Sequence, residues 1–100
     1  MKITQVDVTK KSKEGSRIRG FARVTIDDCF LINDIRIIEG DEKLFIAMPS
    51  RKVEGEDGEV KYKDICHPLN SETRALFEEA IIAKYNEAES ALFFLLKKKI

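Results

Sequence analysis

The sequence is poor in the residues that secreted, membrane-spanning and metal-binding proteins depend on. Its 100 residues include two cysteines, one histidine, two prolines and no tryptophan. Two cysteines cannot form the disulfide framework of a small secreted fold, and zinc requires about four ligands. The longest apolar run, Ala91–Leu96, is far short of the ~20 residues that cross a membrane, and the opening MKITQVDVTKK has no signal-peptide core. We therefore expect a reduced, cytoplasmic protein with no metal or other cofactor and no membrane partner.

The sequence also has no excess of charge of one sign. Its 18 Lys and Arg residues balance 18 Asp and Glu residues, which excludes a uniformly basic, histone-like protein. The charges are unevenly distributed, because residues 1–36 hold eight basic and five acidic residues. A local basic patch is sufficient for contact with phosphate, so the neutral total leaves nucleic-acid binding open.

The residues that are present favour β-strands at the start of the chain. Alternation of apolar and polar residues predicts strands at Ile3–Lys10 and Arg17–Ile26. Asp27-Asp28 predicts a tight turn, and therefore a hairpin between the second and third strands. The next β-rich segment, Phe30–Ile38, loses its alternation at Asn33-Asp34, which indicates a β-bulge or burial on both faces.

The second half of the sequence changes from strands to a helix. Leu44–Met48 predicts a short strand that Pro49 ends, and polar residues Ser50–Lys63 predict a mobile loop, with a last short strand at Tyr62–Cys66. Helical spacing then begins after a cap at Asn70 or Ser71. We predict an α+β fold, in which an antiparallel meander of four to five strands precedes a C-terminal helix or helices. Residues 1–90 form the domain, and residues 91–100 form an apolar and basic tail.

The cysteines and the histidine give no strong catalytic pattern. Cys29 and Cys66 each lie in an apolar stretch, where a reduced thiol packs as a small hydrophobic group. Cys66 and His67 are neighbours, and neighbours on a strand point to opposite faces, so they cannot both reach one metal ion. We interpret them as a buried thiol beside a boundary histidine, and we expect no enzyme activity.

Basic residues occur in two groups that could contact phosphate. One strand face of the Arg17–Ile26 segment carries Arg17, Arg19 and Arg23, with Phe21 between them. Cations interleaved with an aromatic ring suit single-stranded nucleic acid, although the solvated outer face of a sheet has the same pattern. Arg51 and Lys52 follow Pro49 at the start of the predicted loop.

Three blocks of sequence resemble one bacterial family. Asn33–Gly40 (NDIRIIEG), Leu44–Lys52 (LFIAMPSRK) and Lys63–Ser71 (KDICHPLNS) match the stage V sporulation protein G (SpoVG) family in order and spacing. The opening MKIT-x-V-x-V matches too, and the resemblance covers about residues 1–87. The long acidic loop and the apolar tail beyond Ala91 depart from the family pattern.

The resemblance implies a small cytoplasmic regulator that affects septation, sporulation and gene expression. Proteins of this family are homodimers that bind DNA and/or RNA, with no small-molecule substrate. An alternative is a protein-interaction adaptor in cell division whose nucleic-acid binding is weak. The resemblance places phosphate contacts at the basic loop and further contacts at the helix start, and the candidate residues are Arg51, Lys52, His67, Asn70, Ser71 and Arg74, with Arg17, Arg19 and Arg23 as a secondary basic patch.

The resemblance implies nothing about the apolar tail. Leu92–Leu96 would bury substantial apolar area if covered, so we expect it to pack at the dimer interface or on the sheet of a partner subunit. A membrane-surface anchor with Lys97–Lys99 at anionic headgroups is an alternative, as is a disordered end.

Overall fold

The computed structural model describes the backbone of residues 1–98 and the side chains of residues 1–87. Within these residues six strands precede one helix, which confirms the predicted α+β class. The elements are β1 (Ile3–Lys10), β2 (Ile18–Ile26), β3 (Phe30–Glu39), β4 (Leu44–Ala47), β5 (Ser50–Glu54), β6 (Val60–Asp64) and α1 (Ser71–Lys98).

The first four strands form one antiparallel sheet in the order β1-β2-β3-β4, which is the predicted meander. Strands β5 and β6 form a separate antiparallel pair. The prediction of a mobile loop over Ser50–Lys63 was therefore wrong. Both glycines and most of the acidic residues of this segment lie in its turn, while its two arms pair with each other over five residues each.

The predicted tight turn between β2 and β3 is confirmed. Asp27 and Asp28 both have positive φ, at 51° and 57°, and the amide of Cys29 donates to the carbonyl of Ile26 at 3.0 Å. Two central residues at positive φ are the signature of a type I′ turn, which matches the twist of the flanking strands. Cys29 is exposed at the end of this turn, so the prediction that its thiol packs as a hydrophobic group was wrong.

The predicted bulge in β3 is also confirmed. Ala22 pairs with Ile35 and Val24 pairs with Ile32, so two residues of β3 lie opposite one residue of β2. Asp34 takes a positive φ of 61° there. The bulge allows Ile35 and Ile37 to face the core on one side of the break while Ile32 packs against it on the other.

The core lies between one face of the four-stranded sheet and α1. The buried side chains come from the middle of β2, β3 and β4, from Met48, and from one stripe of the helix. Asn70 is the helix cap, because its Oδ1 accepts a hydrogen bond from the amide of Thr73 at 2.8 Å. The core residues are Ala22, Val24, Ile35, Ile37, Ile46, Met48, Phe77 and Ile81.

The helix stripe follows the predicted spacing over the residues whose side chains are described. Phe77 and Ile81 are buried, and Tyr85 packs at the edge of the core, with the Nζ of Lys10 4.3 Å from its ring centroid. Leu76 lies beside this stripe and stays 46% exposed. The predicted continuation at Ala88 and the predicted roles of Leu92–Leu96 lie outside the described side chains.

Candidate nucleic-acid interface

The hairpin β5–β6 carries an acidic turn on cationic arms. The turn closes through hydrogen bonds from the amide of Gly55 to the carbonyl of Glu59 (2.8 Å) and from the amide of Gly58 to Gly55 (3.1 Å). Gly58 has a φ of 79°, a conformation that a residue with a side chain adopts only with strain. Glu56, Asp57 and Glu59 lie in the turn, and the arms carry Arg51, Lys52, Lys61 and Lys63 together with the carboxylates Glu54 and Asp64.

The two faces of the hairpin carry different chemistry. Arg51 lies directly opposite Lys63 on one face, and Lys52 lies directly opposite Tyr62 on the other. All four side chains are exposed. Like charges that face each other across a strand pair are destabilising, so the Arg51–Lys63 pair does not contribute to the fold. An external anion would relieve this repulsion.

The cations of the hairpin are available for a ligand. The side chains of Arg51, Lys52 and Lys63 form no hydrogen bond or ion pair in the part of the chain that the structure describes. Lys61 makes one distant contact, 3.8 Å from a carboxylate oxygen of Glu59. The sequence reasoning selected Arg51 and Lys52 but missed Lys61, Tyr62 and Lys63. The alternation in VKYKD was the signal that could have identified them as one arm of a hairpin.

The base of the hairpin is fixed to the sheet. The guanidinium of Arg36, on β3, donates to the carbonyl of Met48 and to the hydroxyl of Ser50, both at 3.1 Å. The amide of Ile65 donates to the carbonyl of Pro49 at 2.7 Å. These bonds hold the two ends of the hairpin together where it leaves the body of the protein.

The residues selected at the helix start are largely engaged in local structure. The amide side chain of Asn70 caps α1, and Nδ1 of His67 lies 3.0 Å from the carbonyl oxygen of Pro68. Ser71 is the exposed first residue of the helix. Among the described residues no hydrogen bond or ion pair joins this group to Arg51 or Lys52. The predicted contacts at the hairpin and at the helix start are therefore positioned by different local interactions.

The side chain of Arg74 makes contacts within the fold. Its Nη2 donates to the carbonyl of Ile46 at 2.7 Å, and its Nε lies 4.0 Å from a carboxylate oxygen of Glu78. The first bond joins the beginning of α1 to β4, whose carbonyls at the edge of the sheet have no further strand to pair with. This geometry gives Arg74 a structural role and leaves it little freedom to reach a phosphate.

We expect Arg74→Ala to lower the free energy of unfolding by about 1 kcal/mol, which is the usual contribution of one charge-assisted hydrogen bond at a partly exposed site. Thermal unfolding followed by circular dichroism measures this loss. The matched control is Lys84→Ala on the same helix, whose ammonium forms an exposed ion pair with Glu87 at 3.8 Å. Equal melting temperatures for the two variants would contradict a role for Arg74 in joining α1 to β4.

The secondary basic patch is matched by carboxylates. Arg17 lies 3.2 Å from Asp41, Arg23 lies 3.4 Å from Asp7, and Arg19 forms a close ion pair with Glu39. The Nη1 of Arg19 also donates to the carbonyl of Ser16 at 2.7 Å. Exposed pairs of this kind contribute little to stability, but they neutralise the patch locally. The hairpin is therefore the less compensated of the two cationic surfaces.

The Cys66–His67 segment lies at an open groove between the sheet and the helix start, lined also by Met48 and Phe77. Cys66 is half-buried and packs against the core. Over residues 1–87, no three or more His, Cys, Asp or Glu side chains are grouped so that they could hold a metal ion. The described part of α1 contains no stretch that is both long and apolar enough to cross a membrane.

Fold and surface together define a class: a small α+β domain with a two-stranded hairpin outside its core, whose arms carry exposed cations and whose turn is acidic. Comparison with known proteins gives the family. The SpoVG family model matches residues 1–87, so the chain belongs to the SpoVG family. This confirms the resemblance that the three sequence blocks indicated, over the same residues.

Relatives in distant bacteria share about half of the sequence. A protein of Phytoplasma australiense is 51% identical over 87 residues, covering 87% of this chain and 85% of that protein. One of Caldicellulosiruptor bescii is 49% identical, covering 91% and 98%. One of Clostridioides difficile is 47% identical, covering 88% and 90%. All three are named, provisionally, septation protein SpoVG.

Proposed function

We propose that this protein is a cytoplasmic, non-catalytic regulator of septation and sporulation that binds nucleic acid through the β5–β6 hairpin. One observation carries the proposal. Arg51 and Lys63 face each other across the hairpin, exposed and without a carboxylate partner among the described residues. Repulsion between them is unfavourable for folding alone and is relieved by a phosphate placed between them. The names of the relatives support a role in septation, and the exposed cations of the hairpin support binding to phosphate.

The roles of the remaining candidate residues follow from their positions. Lys52 and Lys61 extend the cationic arms. Ser71 and His67 are exposed at the helix start and could approach a nucleic acid that extends beyond the hairpin, whereas Asn70 keeps its side-chain oxygen on the helix amides. Arg74 takes no part in this proposal, because its guanidinium is bonded to Ile46.

A salt titration of the wild-type protein tests the proposed function. Affinity for short DNA and RNA probes should fall steeply and linearly with the logarithm of salt concentration, as it does when Lys and Arg displace counterions from phosphates. Crosslinking in cells followed by sequencing would then identify the bound nucleic acid. Affinity that is absent at low salt, or independent of salt, would contradict the proposal.

A second candidate is the protein-interaction adaptor in cell division. It is favoured by Ile65 and Leu69, which lie between the hairpin and α1 and remain 66% and 91% exposed. Large apolar side chains at such exposure are typical of interaction surfaces. Capture of a division protein that is insensitive to salt, together with weak nucleic-acid binding, would favour this candidate.

We also propose that the protein is a homodimer. Strands β1 and β4 are the two outer strands of the main sheet, and exposed sheet edges pair readily with a second copy. We expect the mass of a dimer by light scattering at micromolar concentration. A monomeric mass at that concentration would contradict the proposal.

A further inference from the structure

Tyr62 is an aromatic side chain that the fold does not use. It lies in the middle of β6 and is 70% exposed, and its side chain makes no hydrogen bond or ring contact in the described part of the chain. The other tyrosine, Tyr85, is half-buried beside the core with Lys10 over its ring. An exposed ring on a two-stranded sheet contributes little to folding, so contact with a ligand explains its position better than a role in the fold.

The residue beside Tyr62 indicates what that ligand is. Lys52 lies directly across the strand pair, where Cβ atoms are about 4.5–5.5 Å apart, and it has no partner among the described residues. A flat ring next to a free ammonium complements a flat base next to its phosphate. The spacing between neighbouring strands allows one nucleotide to contact both side chains.

The acidic tip disfavours binding to a duplex and so favours binding to a single strand. The grooves of a duplex have negative walls, and a two-stranded ribbon reads a groove by entering it. Here the end that would enter carries Glu54, Glu56, Asp57 and Glu59, all exposed. Duplex bases are also stacked on each other and cannot reach Tyr62. A single strand laid across the arms between Glu54 and Asp64, which flank the Lys52–Tyr62 pair, avoids the three carboxylates of the turn and offers its bases freely.

We propose that the hairpin binds single-stranded nucleic acid, with one base stacked on Tyr62 and the adjacent phosphate on Lys52. The inference rests on the proposed function and names its substrate class. Single-stranded RNA and single-stranded DNA share this chemistry, and only contacts to the 2′-hydroxyl separate them.

The test uses the full chain and labelled oligonucleotides of about 12 nucleotides, a length within the range that small single-strand modules cover. The probes are oligouridylate, oligothymidylate and a duplex of equal length. We expect the wild-type protein to bind at least one single strand more tightly than the duplex. Tyr62→Ala should weaken single-strand binding roughly 10-fold, whereas Tyr62→Phe keeps the ring and should stay within about twofold.

Two further measurements separate stacking from other roles of Tyr62. The protein has no tryptophan and two tyrosines, so its intrinsic fluorescence comes from tyrosine. Stacking should quench it when a single strand is added, and Tyr62→Phe should remove the quenching while keeping the binding. Tyr62→Ala should leave the salt slope unchanged, because no charge is lost, and Lys52→Ala should lower it by about one.

The matched control is Phe30→Ala, which removes another exposed aromatic side chain, at the start of β3 and outside the hairpin, and should not change affinity. Three outcomes would overturn the inference while leaving salt-dependent binding intact: preference for the duplex, equal affinities of Tyr62→Ala and wild type, or loss of the dimer in Tyr62→Ala. Absence of salt-dependent binding to every probe would instead overturn the proposed function.

Discussion

Replacing Arg51, Lys52 and Lys63 together with alanine should weaken nucleic-acid binding roughly 100-fold at low salt, at about 1 kcal/mol for each lost contact. The slope of log affinity against log salt should fall by about two to three units, because each phosphate contact contributes roughly 0.7–0.9. The double variant of Arg51 and Lys52 alone should lower the slope by about one to two. Fluorescence anisotropy at several salt concentrations measures both quantities.

The control for this variant removes the same number of positive charges from the other surface. Alanine at Arg17, Arg19 and Arg23 leaves three carboxylates unpaired, so it changes the net charge equally without touching the hairpin. We expect a smaller change in slope for this control. If instead the hairpin variant keeps its slope and the control loses it, the binding surface is the Arg17–Arg23 patch.

The hairpin variant should remain folded. Its three side chains are exposed, none belongs to the core, and removing Arg51 or Lys63 relieves the repulsion between them. A melting temperature equal to or slightly above that of the wild type is therefore expected from the loss of this like-charge pair. Circular dichroism on the same samples separates a loss of binding from a loss of fold.

Phe77→Ala should be the most destabilising single change, costing about 3–5 kcal/mol of the free energy of unfolding. Phe77 is 3% exposed and fills the contact between the first turns of α1 and the sheet. Since domains of this size have a total stability of roughly 5–15 kcal/mol, the variant should lose a large part of its stability. Urea denaturation at a fixed protein concentration measures the loss.

The control for Phe77 is its neighbour. Leu76 lies on the same turn of α1 and is 46% exposed, so Leu76→Ala removes an apolar side chain of comparable helix propensity without opening a cavity. We expect its cost to stay within about 1 kcal/mol. Equal costs for the two variants would show that the helix packs on the sheet through a face other than the one that Phe77 and Ile81 share.

The sequence predicted the main sheet well because each of its signals is local. Alternation in β2, the Asp27-Asp28 turn and the break at Asn33-Asp34 depend on neighbouring residues and on backbone sterics. The Asn70 cap likewise needs only the amide of Thr73 three residues later. The family could be identified because three blocks kept both their order and their spacing.

The candidate surface was less predictable because it depends on pairing between arms. The cross-strand partners Arg51–Lys63 and Lys52–Tyr62 are set by register, which polar residues with no buried face specify weakly in sequence. The hydrogen bond from Arg74 to Ile46 was unpredictable for a similar reason, since it joins residues far apart in the chain. Cys29 was misplaced because an apolar neighbourhood in sequence ended at an exposed turn.

The separation of the β5–β6 hairpin from the main sheet has an evolutionary consequence. The hairpin shares no strand with β1–β4 and contributes no residue to the described core, and Arg36 with the Pro49–Ile65 bond holds only its base. Mutations in its arms or tip should therefore have little effect on the stability of the fold, and selection for stability constrains them weakly. The hairpin can lengthen, shorten or change charge while the same scaffold persists, so under the proposed function target preference can diverge among bacteria faster than the fold.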